Sequence, residues 1–362
     1  MDCRSEAAGP RQQRAALYRE LNLEAMLGLG ASLFLLLCTS ALVLALLGGY
    51  LLAGSSAALR LALAALPATL AVVIARWLFA RVPPLPSGIT LAAGEALRFR
   101  RVVARLCEQL EVPMVDHVLI SEDLNAALVT RPRHGLWGPM ESVLVVGLPL
   151  LQSVNPRQLH AILAHEIAHL GRQRIGEKAW SAHFRAWWLR VVDRIESSPD
   201  PISRIVAIPL RRLSDRFVWS LLELSYLEEF EADAVAADMV GAEALAEALI
   251  EVALKAQIHH AACWLADSTD DSHGGDTRDA CYMLERGDRS LLRALRGALC
   301  TAELLDEPGA ELHPALGDRL AALQVGLHSL IDEAPSAAHC YFRKLLPVLQ
   351  HRFDRAPSLL AA

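Results

Sequence analysis

Between Glu24 and Arg60 the chain runs for 35 residues, Ala25–Leu59, without one charged side chain. A hydrocarbon core of about 30 Å is crossed by about 20 helical residues, so this run can span a bilayer with residues to spare. A second apolar stretch, Leu61–Ala80, is interrupted only by Arg76, close enough to its end to reach the headgroups. Gly54-Ser55-Ser56 offers a turn between them. The pattern predicts a hairpin of two transmembrane helices, roughly 26–50 and 58–79. Two competing readings fit less well. The core of a signal peptide is much shorter, and helices of a soluble core rarely stay uncharged for so long. With 53% hydrophobic and 21% charged residues the chain has apolar material for a large core besides, which excludes wholesale disorder. The formal charge of −6 gives no basic excess for a nucleic acid.

Arginines set the expected orientation. Arg4, Arg11, Arg14 and Arg19 precede the first apolar run, and Arg81, Arg98, Arg100 and Arg101 follow the second. The loop between holds only Arg60, so the positive-inside rule places both ends in the cytoplasm. The seven cysteines are odd in number and form no CxxC pair, which argues against a disulfide framework or a cysteine zinc site.

Beyond the apolar region, Pro83–Gly88 reads as a stiff linker and 92–110 as an amphipathic helix. Runs at 115–120, 126–130 and 142–147 are rich in β-branched residues and read as strands of one small sheet. Asn155-Pro156 marks a helix start, with Asn as the cap and Pro in the first turn. Helices are expected over 155–172, 177–195, 202–240, 242–265, 288–305 and 316–332, with a loop over 267–279. The stretch 201–224 is too charged to span and reads as amphipathic, resting against the membrane surface. The fold class is therefore mainly α with a small β-sheet, an α+β arrangement behind the hairpin. In segments, the chain reads as 1–25, hairpin 26–80, linker 81–94, a main domain 95–335 and a helical tail 336–362.

The chemical signal is Leu163-Ala164-His165-Glu166-Ile167-Ala168-His169, an HExxH motif on a predicted helix. Residues i and i+4 share a helix face, so His165 and His169 can grip one metal ion. Zinc lowers the pKa of a bound water, and Glu166 stands where it can take that proton. At this composition the pentapeptide arises by chance about 0.05 times per chain, so context must support it. A zinc site needs a third ligand. The pattern HExxHxxGxxH would require Gly at 172 and His at 175, where this chain has Arg172 and Ile175. Downstream, Glu229 and Asp233 are again i and i+4. Glu229 would ligate the ion, and Asp233 would accept the N–H of a ligating histidine. The competing reading of this acidic stretch is a solvated helix face.

Together these pieces resemble the HtpX-like and CAAX prenyl endopeptidase family of membrane zinc metallopeptidases, within the gluzincins. The resemblance covers about 95–325 and rests on Asn125-Ala126, the HExxH helix, Glu229-Phe230-Glu231-Ala232-Asp233, and His313-Pro314 with Arg319-Leu320. It implies a zincin-like catalytic domain with one Zn²⁺ per chain, held by His165, His169 and Glu229, with Glu166 as general base. It implies that Val143–Gly147 is the edge strand pairing with an extended substrate, which makes Val145 and Gly147 substrate-binding residues. His313 would either donate to the oxyanion or cap the final helices with Arg319. Asn125 would either bind substrate backbone or shape a turn. The expected partners are a peptide or protein substrate, membrane proteins among them, and the lipid bilayer. The expected place is a bacterial inner membrane, with the catalytic domain cytoplasmic and a role in membrane-protein quality control. The chain departs from HtpX itself in lacking membrane helices between HExxH and the glutamate. A single hairpin does not imply a CAAX substrate. The alternative function is a membrane-tethered binding or chaperone-like protein with a structural or autoinhibited zinc site, but such a site has no need of Glu166 as a base.

Overall fold

The structure, a computed structural model, describes residues 10–49, 51, 54–79, 85–134, 137–174, 179–198, 201–268, 314–326 and 335–355. Within these the elements run α1 (Pro10–Leu47), α2 (Ala57–Leu78), β1 (Ile89–Thr90), α3 (Leu97–Gln109), β2 (His117–Ser121), β3 (Ala126–His134), β4 (Trp137–Gly147) and α4 (Leu148–Ser153). They continue α5 (Pro156–Arg174), α6 (Ala179–Ser197), α7 (Pro201–Val240), α8 (Ala242–Ser268), α9 (Leu316–Ala322), α10 (Ala337–Phe342) and α11 (Leu346–Arg355). The result is the expected mainly helical chain with one small sheet. The expected helix at 288–305, most of the loop at 267–279 and His313 lie outside the described residues.

The chain divides into two compact units. The first holds Met1–Pro84, Arg131–Met140 and Gly176–Leu227; the second holds Leu85–Thr130, Glu141–Ile175 and Glu228–Ala362. This grouping cuts across the linear segments expected from sequence, since 176–227 goes with the apolar hairpin.

In the first unit α1 and α2 lie side by side and α6 packs against both. α1 begins at Pro10, well ahead of the uncharged run. Residues 11–24 are mostly strong helix formers, and Leu17 and Leu21 are buried in the same core as Ile74, Leu78, Trp188, Leu210 and Phe217. Gly28 makes this packing possible: an added Cβ would strike the buried Trp188 ring. Trp187 Nε1 donates to the Leu78 carbonyl at 2.8 Å. In the turn between the helices Gly54 has φ +87°, and Ser56 Oγ accepts the Leu59 N–H at 3.3 Å, capping α2. Large apolar side chains point outward along both helices, among them Phe34, Leu37 and Leu44 on α1 and Leu61, Leu66 and Val72 on α2. Exposed apolar surface of this extent marks an interaction site, and these helices have the length and composition of a membrane hairpin.

The second unit is built on a sheet of order β1-β2-β4-β3. β2 and β4 are parallel, with His117 opposite Val143 through Ser121 opposite Gly147. Val118, Leu119 and Ile120 on β2 and Val143, Leu144 and Val146 on β4 are buried, the nearly continuous apolar texture of inner strands. The very short β1 pairs antiparallel with β2, and β3 is the other edge. This corrects one expectation. Val143–Gly147 is not an edge: β4 lies between β2 and β3, so its backbone is already paired on both sides. α3 buries Phe99, Val103, Leu106 and Cys107 at helical spacing in the unit's core. α5 contributes Leu159, Ala161, Leu163, Ala164 and Ile167 to that core.

The start of α5 is fixed by a reciprocal cap. Asn155 Oδ1 accepts the N–H groups of Arg157 and Gln158, both at 2.8 Å, and Gln158 Oε1 accepts the Asn155 N–H at 2.9 Å. The C-terminal segment is not an appended tail. Ala337 donates to the Val154 carbonyl at 2.8 Å, and Phe342, Leu349 and Phe353 fill the same core, with Phe342 against Phe99 at 5.1 Å between ring centroids.

Candidate metal centre

α5 is buried around most of its circumference, and His165 and His169 share its one chemically distinct face. Their rings meet edge to face, with Nε2 atoms 3.3 Å apart. α7 brings Glu229 opposite: Oε2 is 3.4 Å from His165 Nε2, and Oε1 is 3.4 Å from His169 Nε2. All three side chains offer a ligand atom within one small volume. Ligand atoms about 2.0–2.1 Å from a tetrahedral zinc ion stand about 3.3–3.4 Å from one another. The two Nε2 atoms stand at such an edge, each meeting a different oxygen of Glu229, and two imidazoles with one carboxylate form a zinc donor set. Catalytic zinc sites use three protein ligands, and three such side chains are grouped here among the described residues.

Asp233, one turn along α7 from Glu229, receives the far side of the first histidine, with Oδ1 2.9 Å from His165 Nδ1. Arg319 on α9 then grips Asp233 with two bonds, Nε to Oδ2 at 2.7 Å and a terminal nitrogen to Oδ1 at 2.6 Å. Its other terminal nitrogen is 3.6 Å from Glu229 Oε2. Burial alone would push the Asp233 pKa up, but the bonds from Arg319 and His165 outweigh it and hold the carboxyl below its ordinary range. Burial likewise works against a charged His165, yet its bonds to Asp233 and Glu229 win and raise its pKa to about 9.

Glu166 is only partly exposed. Burial raises its pKa, against the lowering influence of His165 and His169. Its Oε2 accepts the backbone N–H of Leu128, on edge strand β3, at 3.2 Å.

The structure thus brings together five residues expected from sequence: His165, Glu166, His169, Glu229 and Asp233. The other three described candidates behave differently. Val145 and Gly147 lie on the inner strand β4. At Gly147 an added Cβ would fall on the Asp123 carbonyl, so close backbone approach requires glycine there. Asn125 is exposed; its Oδ1 accepts the Ala126 N–H at 2.8 Å and its carbonyl accepts the Gly147 N–H at 2.7 Å, which shapes the entry into β3. Two roles escaped the sequence reading. Arg319 was named as part of the resemblance and as a cap of the final helices, not as the partner of Asp233. A backbone donor such as Leu128 leaves no signal in side-chain identity.

A His-Glu-x-x-His helix facing a carboxylate from a second helix is the arrangement of a metallopeptidase centre. The chain belongs to Peptidase family M48, which matches residues 95–325. It is similar to the Protease HtpX homolog of Methylibium petroleiphilum, 27% identical over 176 residues, or 46% of this chain and 59% of that protein. The chain thus spans less than two thirds of that relative's length. Among solved structures it is similar to S. mikatae Ste24p, with TM-score 0.36 and 15% identity, covering 84% of this chain and 66% of that one.

Proposed function

We propose that this protein is a membrane-anchored zinc metalloendopeptidase. The reading is carried by one observation above all: ligand atoms of His165, His169 and Glu229 gathered within 4.8 Å of one another, with Glu166 beside the two histidines. One zinc ion per chain would be held by those three side chains. Bound there, it supplies Lewis acidity that polarises a peptide carbonyl and acidifies water.

The remaining chemistry belongs to the chain. Glu166 takes the proton of the attacking water and delivers it to the departing amine. The Leu128 N–H fixes one oxygen of Glu166 and leaves the other for the proton. A carboxyl raised by burial suits a group that must hold this proton between the two steps. Asp233 keeps the proton of His165 on Nδ1 and so turns Nε2 toward the ion, while Arg319 keeps Asp233 ionised.

An extended substrate pairs with β3 rather than β4. The Leu128 N–H meets Glu166 and the Ala126 N–H meets Asn125 Oδ1. Alternate N–H groups of this strand therefore point away from β4, toward the side where Glu166 stands. A peptide laid along that edge would pair by main-chain bonds, with specificity left to its side chains. The apolar hairpin α1–α2 anchors the chain in a bacterial inner membrane, with both ends cytoplasmic by the arginine bias. Proteolysis fits the similarity to the Protease HtpX homolog, and membrane-protein quality control is the role that the anchor favours.

Metal analysis tests the site. Purified protein should carry one zinc per chain, and His165→Ala and Glu229→Ala should each lose it. A chelator should stop cleavage of unfolded casein and added zinc should restore it. Full zinc content in both variants would overturn the ligand assignment.

A further inference from the structure

The first unit contains α6 and α7 as far as Leu227, together with the apolar hairpin. Contacts within it fix how far these two helices reach. Arg185, near the start of α6, donates to Asn22 Oδ1 at 2.8 Å and lies over the Tyr18 ring, just ahead of the uncharged run. One turn on, Trp188 meets Gly28, inside that run, while Trp187 bonds the Leu78 carbonyl at the end of α2. α6 thus advances along α1 in the direction of the run. It ends at Ser197, and α7 begins at Pro201. So short a connection between two packed helices returns the chain antiparallel. The return is complete at Arg216 and Ser220: Arg216 Nε stands 3.2 Å from Glu24 Oε1, and the Ser220 hydroxyl bonds the same carboxylate.

Asn22 and Glu24 stand at one level, the last turn before the uncharged run. The chain between Trp188 and Arg216 therefore lies alongside the run. Leu35 and Leu36 of α1 and Leu70 and Val73 of α2 pack against the core that it builds. At 1.5 Å per residue, α6 ends about 14 Å beyond the level of Gly28, close to the hydrocarbon depth of one leaflet, about 15 Å.

Val206, Leu210 and Phe217 bury one face of α7 in that core. Ile205, Ile208, Arg212 and Trp219 recur at helical spacing on the opposite face. Ile205, Ile208 and Trp219 are 62%, 66% and 73% exposed, an apolar surface that needs an occupant. Their order along the helix says which. Trp219, Arg211 and Arg212 lie near the level of Glu24, where tryptophan and arginine meet headgroups, and Ile208, Ile205 and Ile202 lie farther along the run. Over 201–222 four arginines stand against one acid, Asp215, which suits an anionic surface. Arg190, Asp193, Arg194, Glu196 and Arg204 gather toward the far ends of the two helices, too much charge to pass through a bilayer.

We propose that α6 and α7 form a re-entrant hairpin, sunk into the leaflet that α1 enters at Glu24 and stopping short of the other. Ile202, Ile205 and Ile208 meet acyl chains, and Arg211 and Arg212 meet anionic headgroups. The inference rests on the membrane anchor, not on the peptidase site.

Photocrosslinking in vesicles reads the surroundings of α7 directly. A diazirine residue is placed at Ile205 or Ile208 of the full chain, with exposed Leu37 on α1 as the lipid reference and exposed Met114 of the second unit as the water reference. Ile205 and Ile208 should form lipid adducts as readily as Leu37, and Met114 should form none. No lipid adducts at either isoleucine, where Leu37 forms them, would overturn the hairpin. Adducts to a second copy of the chain in their place would do the same. A failure at Leu37 as well would contradict the anchor itself and the hairpin with it. In vesicles of equal parts phosphatidylglycerol and phosphatidylcholine, adducts at Ile205 should favour the anionic lipid. Arg211→Gln and Arg212→Gln should each cut that preference about fivefold, the scale of one arginine at an anionic surface. A preference that survives both substitutions would overturn the headgroup assignment.

Discussion

Arg319 shows how a single residue couples the pieces of the centre. It holds both oxygens of Asp233, and Asp233 in turn holds His165. Lysine would keep the charge and lose the planar two-bond grip. Arg319→Lys should therefore weaken zinc binding by about 10–100-fold, the usual cost of losing a partner behind a ligand, as read by competition with a chromogenic chelator. Unchanged affinity would show that Arg319 serves only the packing of α9. The ligand pairs themselves were legible in sequence because each is a local helical repeat, His165 with His169 and Glu229 with Asp233. The pairing of Arg319 with Asp233 was not, because the two lie 86 residues apart and no local pattern links them. Leu128 was invisible for a different reason: it acts through an N–H that every non-proline residue has.

At the scale of elements, the start of α5 was readable and sheet order was not. Asn155 and Gln158 close the N-terminus of α5 by side-chain bonds within four residues of chain, and that chemistry is written locally. Asn155→Ala should cost about 1 kcal/mol, seen as a lower thermal midpoint. The strand Val143–Gly147 was correctly placed as a strand but wrongly as an edge. An apolar run announces burial, and burial on both faces is what an inner strand has; the neighbour on each side depends on pairing across the chain. α1 itself begins at Pro10, ahead of the expected span, for a related reason. Apolar composition shows where a span can lie, while Leu17 and Leu21 extend the helix by packing in a core that is not local. In that core Gly28→Ala would force a methyl group into the Trp188 ring. It should destabilise the protein by about 1–3 kcal/mol in denaturation followed by tryptophan fluorescence. An unchanged midpoint would mean that α1 and α6 separate easily enough to accept it.

The whole molecule joins a membrane hairpin to a charged, partly buried centre, and pH should act on the two differently. In the metal-free protein His165 has its pKa raised from 6.5 to about 9. A raised folded-state pKa contributes stability that is fully present below the unfolded value and is lost as pH rises through the folded one. The thermal midpoint of metal-stripped protein should therefore fall between about pH 6.5 and about pH 9. Apparent zinc affinity should rise over the same window, because the ion displaces the His165 proton. A flat midpoint across that range would remove the Asp233–His165–Glu229 network from the account.

The central claim is that Glu166 is the base of a peptidase. Its most direct test is cleavage of unfolded casein by wild type and Glu166→Gln, each reconstituted in vesicles and matched in zinc content. The account predicts that Glu166→Gln keeps its zinc and loses activity by about 100-fold or more, the scale of general acid–base catalysis. Equal cleavage by the two proteins at equal zinc content would contradict it.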